Sequence, residues 1–255
     1  MGIADVRGKA ALVIGGTRGI GRAIVERFAD SGSEVWMTGR DAGKASELAG
    51  SLSETYGQPI AGVALDVMDR ARIREVVEEF APQRDDPAIL VYNAGISPVY
   101  ASAEKVEEDD WDAILATNLT GAFLSAQAFA QKLIAEDRSG SIVLVGSVNS
   151  IVGDARLAAY TASKSGLAGM AKTMALDWAR HGIRVNLVAP GYVATDLTAG
   201  LQQNEKLLNA LTGNTPLNRL AEPAEIADLV VFLASDSASY VTGGIYPVDG
   251  GWTAR

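Results

Sequence analysis

The chain has no cysteine among its 255 residues. That absence excludes disulfides, thiolate metal sites and a cysteine nucleophile together, and it is compatible with a reducing compartment. Histidine is nearly missing as well. His181 stands alone at the end of a helical stretch, where it reads as a cap rather than a catalytic base. Positive charge is in deficit: the formal net charge is −9 and the pI is near 4.7. Such a field repels phosphate backbones and anionic lipids, so binding to nucleic acid or membrane needs a local basic patch. The densest candidate, Arg70, Arg72 and Arg74, sits beside Glu75, Glu78 and Glu79 on one helix, which is a solvated face. No apolar run approaches the roughly 20 residues that cross a bilayer. Residues 1–9 hold no apolar signal core, so a cytoplasmic protein is expected. Repeats, low-complexity tracts and Ser/Pro/Gly linkers are also missing, which argues against division into several domains.

What remains is the balance of a soluble globular protein, 48% apolar against 21% charged, in a chain long enough for a sizeable core. Seven short apolar runs punctuate it: 10–14, 34–38, 60–65, 89–92, 141–145, 183–188 and 244–248. Several are continuously apolar rather than alternating, as parallel strands covered on both faces are. Helical stretches lie between them. Residues 20–30 open on glycines, and Asp69 reads as an N-cap before the apolar face of Ile73, Val76, Val77 and Phe80. The stretch 111–134 is apolar on more than one side, which suits an interior or a subunit interface. Residues 160–181 form another long helix ended by Gly182, and Pro223 opens a helix over 224–234. This order predicts a single domain, 1–255. The expected architecture is an α/β fold with a doubly wound parallel sheet of about seven strands and helices on both faces. Its ligand crevice would lie at the carboxyl ends of the strands.

The segment from Ala11 to Arg22 joins the first strand to the first helix through Gly15, Gly19 and Gly21. Glycines permit positive φ and close approach to phosphate, and the helix start offers free N–H groups and a positive dipole end. A plain glycine-rich turn is the bland alternative, but the position after the first strand of an unbroken α/β series points to a dinucleotide. Charge argues which one. An NAD site places a carboxylate about 20 residues on, at the end of the second strand, to hold the ribose 2′-hydroxyl. Here that strand ends in Gly39-Arg40, with Asp41 beyond it. A guanidinium there suits a 2′-phosphate, and Arg18 adds a second positive charge, so NADP(H) is expected. The alternatives are that both arginines are ordinary surface residues and that Asp41 approaches the ribose.

Tyr160 and Lys164 lie four residues apart and so share a helix face. A phenol ordinarily titrates near 10, and a nearby ammonium lowers that value enough to make tyrosine a usable general acid and base. A Tyr-x-x-x-Lys pair alone is weak, since a helix-surface pair looks the same. Ser147 follows the fifth strand, where its hydroxyl can donate to a carbonyl oxygen. Asn118 lies inside the apolar segment 114–123, where an amide needs partners. Bridging strands or ordering a helix kink is its structural alternative, which does not exclude a part in catalysis.

Together these residues resemble the short-chain dehydrogenase/reductase family, in its single-domain Rossmann form, from Lys9 to the C-terminus. The resemblance is carried by the glycine turn, Asp66, Asn93-Ala-Gly95, Asn118, Ser147, Tyr160-x-x-x-Lys164, Pro190-Gly191 with Thr195, and Val248-Asp-Gly-Gly251. Ser147 precedes Tyr160 by 13 residues, the family's spacing. The resemblance implies that Tyr160 protonates a carbonyl oxygen or deprotonates an alcohol, and that Ser147 polarises that oxygen. It implies that Lys164 holds the nicotinamide ribose and depresses the tyrosine, and that Asn118 places a water linking Lys164 to solvent. Gly15, Thr17, Arg18, Gly19, Ile20 and Gly21 would then cradle NADP(H), with Arg40 on its phosphate. Asp66 and Val67 would flank the adenine, and Asn93, Ala94, Gly95, Tyr160, Lys164, Pro190 and Gly191 would line the cofactor, with Val193 and Thr195 at the carboxamide. Hydride passes directly to carbon, so no metal is expected. One departure is Ile14, where the family usually has a threonine whose hydroxyl ties the glycine turn to the Asn93 segment; its loss is expected to loosen the turn.

For the substrate, the resemblance implies a lid at about 194–216 with a helix over 201–211. Ser147, Asn149, Leu157, Tyr160 and Tyr192 are expected to bind substrate, with Ile151 and Val152 sharing the pocket wall. Residues 216–223 are similar to 3-oxoacyl-(acyl-carrier-protein) reductases, and the ending from Val248 to Arg255 to gluconate or deoxygluconate dehydrogenases. A carrier protein is acidic and needs a basic dock, whereas Leu176, Asp177, Glu136 and Asp137 occupy the relevant stretches of the long helices. The expectation is therefore reversible, NADPH-dependent reduction of a small free ketone to a secondary alcohol. Oxoacyl-carrier and sugar-acid or polyol substrates are the alternatives. A non-catalytic NADP-binding regulator is a remote one, because Ser147, Tyr160 and Lys164 are all present. The apolar faces around 111–134 and 157–178 resemble family subunit interfaces, so a homotetramer is expected.

Overall fold

The computed structural model describes residues 5–80, 88–195, 198, 208–209 and 212–254. Seven strands form one sheet: β1 (Ala10–Ile14), β2 (Glu34–Gly39), β3 (Ile60–Ala64), β4 (Ala88–Tyr92), β5 (Gly140–Val145), β6 (Ile183–Pro190) and β7 (Ile245–Val248). Their order is β3-β2-β1-β4-β5-β6-β7, and every neighbouring pair is parallel. Each residue of β1, β4 and β5 is buried, which explains why their sequences are apolar without alternation.

Helices cover both faces. On one side α1 (Gly19–Asp30), α2 (Ala42–Tyr56) and α7 (Pro223–Ala234) bury Ile24, Phe28, Leu52 and Val230 against the sheet. On the other, α3 (Arg70–Glu79), α5 (Gly121–Ala135) and α6 (Ala158–Trp178) bring Val76, Phe129, Leu167 and Met174 into a second core, where Phe80 stacks on Phe129 at 6.2 Å. Each such side chain removed from water stabilises the fold by roughly 1.5–3 kcal/mol. The expected sheet and its alternating helices are as the apolar runs indicate, with ends shifted by a residue or two.

Two local features depart from expectation. The stretch 111–134 is not one regular helix: α4 (Glu108–Leu115) passes through a π-helical turn, Ala116–Thr120, into α5. A π turn widens the backbone spiral and is a recurrent mark of functional sites; Asn118 sits within it. By length and hydropathy the composite helix Glu108–Ala135 would cross a bilayer, contrary to the absence of any such run expected from the sequence. Half of its most apolar window is buried in the protein. Helix α2, which the apolar pattern does not single out, shows only a thin apolar stripe of Ala45, Ala49 and Leu52. It is set by its ends: Asp41 caps it by accepting from the Lys44 N–H at 3.0 Å, and Gly57 closes it in the left-handed region at φ 65°. The lid helix expected over 201–211 lies almost wholly outside the described residues.

Candidate active site

The strand order reverses beside β1, so a crevice opens at the carboxyl ends of β1 and β4. Two chain segments meet there. Gly15 turns at φ +82°, and a Cβ on it would stand 2.9 Å from the backbone of Ala94. A Cβ on Gly21 would stand 1.9 Å from the Gly15 carbonyl oxygen, so the first turn of α1 reaches this position only with glycine. Arg18 is the N-cap of α1 in extended conformation and supplies no side-chain cap, leaving the first-turn N–H groups for an anion.

Ile14 does not loosen this turn. The Ile14 carbonyl accepts both the Asn93 N–H at 2.9 Å and the Ala94 N–H at 3.0 Å. The Asn93 amide donates to the Gly15 carbonyl at 2.8 Å, and the Gly15 N–H donates to the Thr38 hydroxyl at 3.2 Å. Backbone and Thr38 make the ties that a threonine hydroxyl was expected to make, and Ile14 itself is fully buried.

Arg18 and Arg40 are exposed, free to meet a phosphate. Asp41, the competing ribose partner, is engaged as the α2 cap. Asp66 is exposed and folds back on its own turn, accepting from the Met68 N–H at 3.0 Å, while Val67 is buried beside Gly121. These residues fit an anionic dinucleotide bearing a 2′-phosphate.

Deeper in the crevice, Ser147, Tyr160 and Lys164 come together with Asn118 and Gly95. Ser147 is buried; its hydroxyl donates to the Asn149 side-chain oxygen at 3.2 Å and accepts the Asn149 N–H at 3.2 Å. Lys164 is 4% exposed, with Nζ donating to the Val145 carbonyl at 2.9 Å and lying 5.7 Å from the centre of the Tyr160 ring. A Cβ on Gly95 would stand 3.4 Å from Asn118 Oδ1 and 3.6 Å from Lys164 Nζ. The exposed backbone at Gly95 therefore gives access to the ammonium.

Asn118 is wholly buried and fully bonded. Its Oδ1 accepts the Ile96 N–H at 2.8 Å, and its Nδ2 donates to the Ile96 carbonyl at 2.9 Å and to the Ser163 hydroxyl at 3.1 Å. Ser163 in turn donates to the Tyr160 carbonyl at 2.7 Å. The amide thus ties the β4 loop to the helix carrying Tyr160, through a serine the sequence reading passed over. Thr38 was missed too; a hydroxyl at the buried end of an apolar strand was the signal for it.

The electrostatics correct one expectation. Burial pushes the Tyr160 phenol up, partly drawn back by the Ser147 hydroxyl. Burial also pushes the Lys164 ammonium down to about 8. The ammonium faces the tyrosine ring and the Val145 carbonyl, so the lowering expected from a neighbouring cation does not outweigh desolvation in the chain by itself.

Among the other expected residues, Pro190 and Val193 are buried, and Gly191 packs so tightly that a Cβ would stand 2.9 Å from the Asp249 Cα. Thr195 approaches Gly19 at 3.4 Å from its Cβ position, so the β6 loop faces the glycine turn across the crevice. The Tyr192 hydroxyl donates to Asp154 at 3.2 Å, and Asn149 and Leu157 flank the start of α6. His181 lies in the 3₁₀ turn Ala179–His181 and accepts from Arg180 Nε at 3.0 Å, remote from these groups in the chain. Among the described residues no cluster of His, Cys, Asp and Glu suits a metal.

A doubly wound sheet with a phosphate-ready turn and a Ser–Tyr–Lys group at its strand ends defines a dinucleotide-dependent oxidoreductase. A family model described as enoyl-(acyl carrier protein) reductase matches residues 14–253. The chain is 38% identical over 246 residues to a 3-oxoacyl-(acyl-carrier-protein) reductase of Aquifex aeolicus (strain VF5), covering 96% of this chain and 98% of that one. It is 36% identical over 252 residues to an NADP-dependent (R)-specific alcohol dehydrogenase of Lentilactobacillus kefiri, covering 98% of each. The crystal structure of a gluconate 5-dehydrogenase from Burkholderia cenocepacia J2315, in complex with NADP and tartrate, superposes with a TM-score of 0.93. It is 34% identical over 99% of both chains. The chain belongs to the short-chain dehydrogenase/reductase family.

Proposed function

We propose that this NADP(H)-dependent oxidoreductase interconverts a small free ketone and its secondary alcohol, with Tyr160 giving and taking the proton. Bound NADPH supplies the hydride to the carbonyl carbon. The Ser147 hydroxyl donates to the carbonyl oxygen, and the Tyr160 phenol delivers a proton to that oxygen as negative charge develops on it. In the reverse direction the phenolate takes the alcohol proton. Lys164 lies within reach of the backbone opening at Gly95, where it would hold the ribose, and Asn118 fixes the frame between them. The observation that carries this reading is the convergence of Ser147, Tyr160 and Lys164 inside a crevice whose glycine turn is flanked by Arg18 and Arg40.

A free substrate is favoured over a carrier-bound one by the surface of the long helices. Leu176 stands 81% exposed where a basic dock would be wanted. Glu136 engages both Lys132 at 3.1 Å and Arg138 at 3.0 Å, leaving that end of α5 without a positive face. A sugar acid is the second reading, supported by the tail from Val248 to Trp252 and by the likeness to a gluconate 5-dehydrogenase. We also propose a cytoplasmic homotetramer. A groove of about 520 Å³ between α5 and α6, lined by Phe123, Ile134, Met170 and Trp178, supplies the apolar face.

The test is a panel of ketones, oxoacyl thioesters and keto-sugar acids assayed with NADPH and with NADH by loss of absorbance of the reduced nicotinamide. Highest kcat/KM on a free ketone with NADPH is expected. Saturable cofactor binding with no oxidation on any substrate would overturn the reading.

A further inference from the structure

The loop 151–157 leads straight into the helix that carries Tyr160, and what holds it decides where the substrate sits. On its inner side the Arg156 carbonyl accepts the Ala101 N–H at 3.1 Å, and Ala101 and Leu157 form a parallel bridge. On its outer side it is held by Asp154, which accepts from the Tyr192 hydroxyl at 3.2 Å. The Tyr192 ring meets Trp252 edge to face, with centroids 5.1 Å apart and planes at 76°. Such a pair is favourable beyond the area it buries, because the electropositive edge of one ring meets the electron-rich face of the other.

Trp252 is itself fixed. Asp249 accepts from the Gly251 N–H at 2.9 Å, the Thr253 N–H at 2.8 Å and the Thr253 hydroxyl at 2.6 Å, shaping the turn that presents the indole. Gly251, at φ +89°, lies so close to Pro216 that a Cβ would stand 2.9 Å from its ring. Tyr192 is pinned on the same side, with the Gly191 N–H donating to Val248 at 3.0 Å and the Ala221 N–H donating to Tyr192 at 2.9 Å. Burial and the Asp154 carboxylate both push the Tyr192 phenol upward, so it remains a donor through neutral and alkaline pH.

We propose that Trp252 and Asp154 are positioning residues, joined through Tyr192 into a strut by which the C-terminal turn holds the 151–157 loop in register with the reacting groups. The proposal rests on reading the crevice as a carbonyl site, and it assigns Trp252 no contact with the reacting atoms. A pocket wall that shifts by an ångström degrades orientation without touching the chemistry. The strut therefore acts on substrate and not on cofactor.

The test has two readouts. Trp252→Ala is expected to lower kcat/KM on the preferred ketone about tenfold, mostly through KM, with NADPH affinity unchanged within twofold. Trp252→Phe should restore most of the loss. Asp154→Ala and Tyr192→Phe should each lower kcat/KM, and the double variant should be no worse than the weaker single one, because both remove one bond. Hydrogen exchange read by mass spectrometry is independent of turnover: amides of 151–157 should exchange at least tenfold faster in Trp252→Ala, with α1 unchanged. If Trp252→Ala does not fold, Tyr192→Phe, which removes one hydroxyl, carries the same two measurements. Unchanged protection of 151–157, additive losses in the double variant, or a parallel fall in NADPH affinity would each overturn the proposal. A wild-type chain that reduces no carbonyl, with the faster exchange still seen in Trp252→Ala, would overturn the reading of the function and leave the strut standing.

Discussion

Burial pushes both Lys164 and Tyr160 towards their neutral forms, and this has a consequence at the scale of single residues. The Lys164 ammonium is pushed from 10.5 down to about 8. Between those values the unfolded chain binds a proton that the native chain lacks, so this group makes stability rise with pH across that window. Below about pH 8 its full penalty applies, roughly 3 kcal/mol from the size of the displacement. Thermal denaturation of the cofactor-free chain from pH 7 to 10.5 should show Lys164→Met more stable than wild type at pH 7, the gap closing towards pH 10.5. A constant gap would contradict the burial of a charged amine. Arg40 carries the cofactor argument: Arg40→Asp should move the ratio of kcat/KM from NADPH towards NADH by at least tenfold, and an unchanged ratio would remove its phosphate role. The residue types of the site were legible because chemistry restricts them to glycine, tyrosine, lysine and serine at fixed spacings. Asp41 was ambiguous in the sequence, since a carboxylate after β2 serves a ribose or a helix N-cap equally well. Only the bond to the Lys44 N–H separates the two.

Elements were legible where burial on both sides left continuous apolar runs, as in β1, β4 and β5. They were not where capping sets the structure. Helix α2, with its thin stripe, owes its bounds to Asp41 and Gly57, and the π turn within Glu108–Ala135 has no periodic signature at all. Arg184 shows the same limit: it bonds the carbonyls of Leu233 at 2.8 Å and Ser235 at 3.2 Å, securing the end of α7 to β6 through backbone acceptors that no sequence pattern announces. The glycine turn illustrates how an element compensates. Ile14 gave no hydroxyl, and Thr38 on the neighbouring strand receives the Gly15 N–H instead. Thr38→Val leaves that part-buried donor without its protein acceptor, at a cost of about 1 kcal/mol. A lowered melting temperature and several-fold weaker NADPH binding are expected by scanning fluorimetry and fluorescence titration, and unchanged values would show that the tie is dispensable.

At the scale of the whole molecule, the sheet places the glycine turn, the Asn93 loop and the Ser–Tyr–Lys group at the carboxyl ends of its central strands, while α5 and α6 turn an apolar groove outwards. Phe123 and Ile134 remain partly exposed there, which a monomer would leave to water. Light scattering should give a particle of four chains of 26.6 kDa, and substituting Phe123 by Arg should shift it to smaller species; a wild-type monomer would contradict the tetramer. Everything at the crevice converges on one group, the Tyr160 phenol, set beside a hydroxyl that can share its carbonyl and an ammonium buried behind it. The measurement that bears on it most directly compares wild type with Tyr160→Phe for NADPH oxidation on the best ketone, alongside NADPH binding by fluorescence. Turnover should fall at least a thousandfold while the dissociation constant for NADPH changes by less than threefold. Substantial residual turnover in Tyr160→Phe would contradict its role as the proton donor.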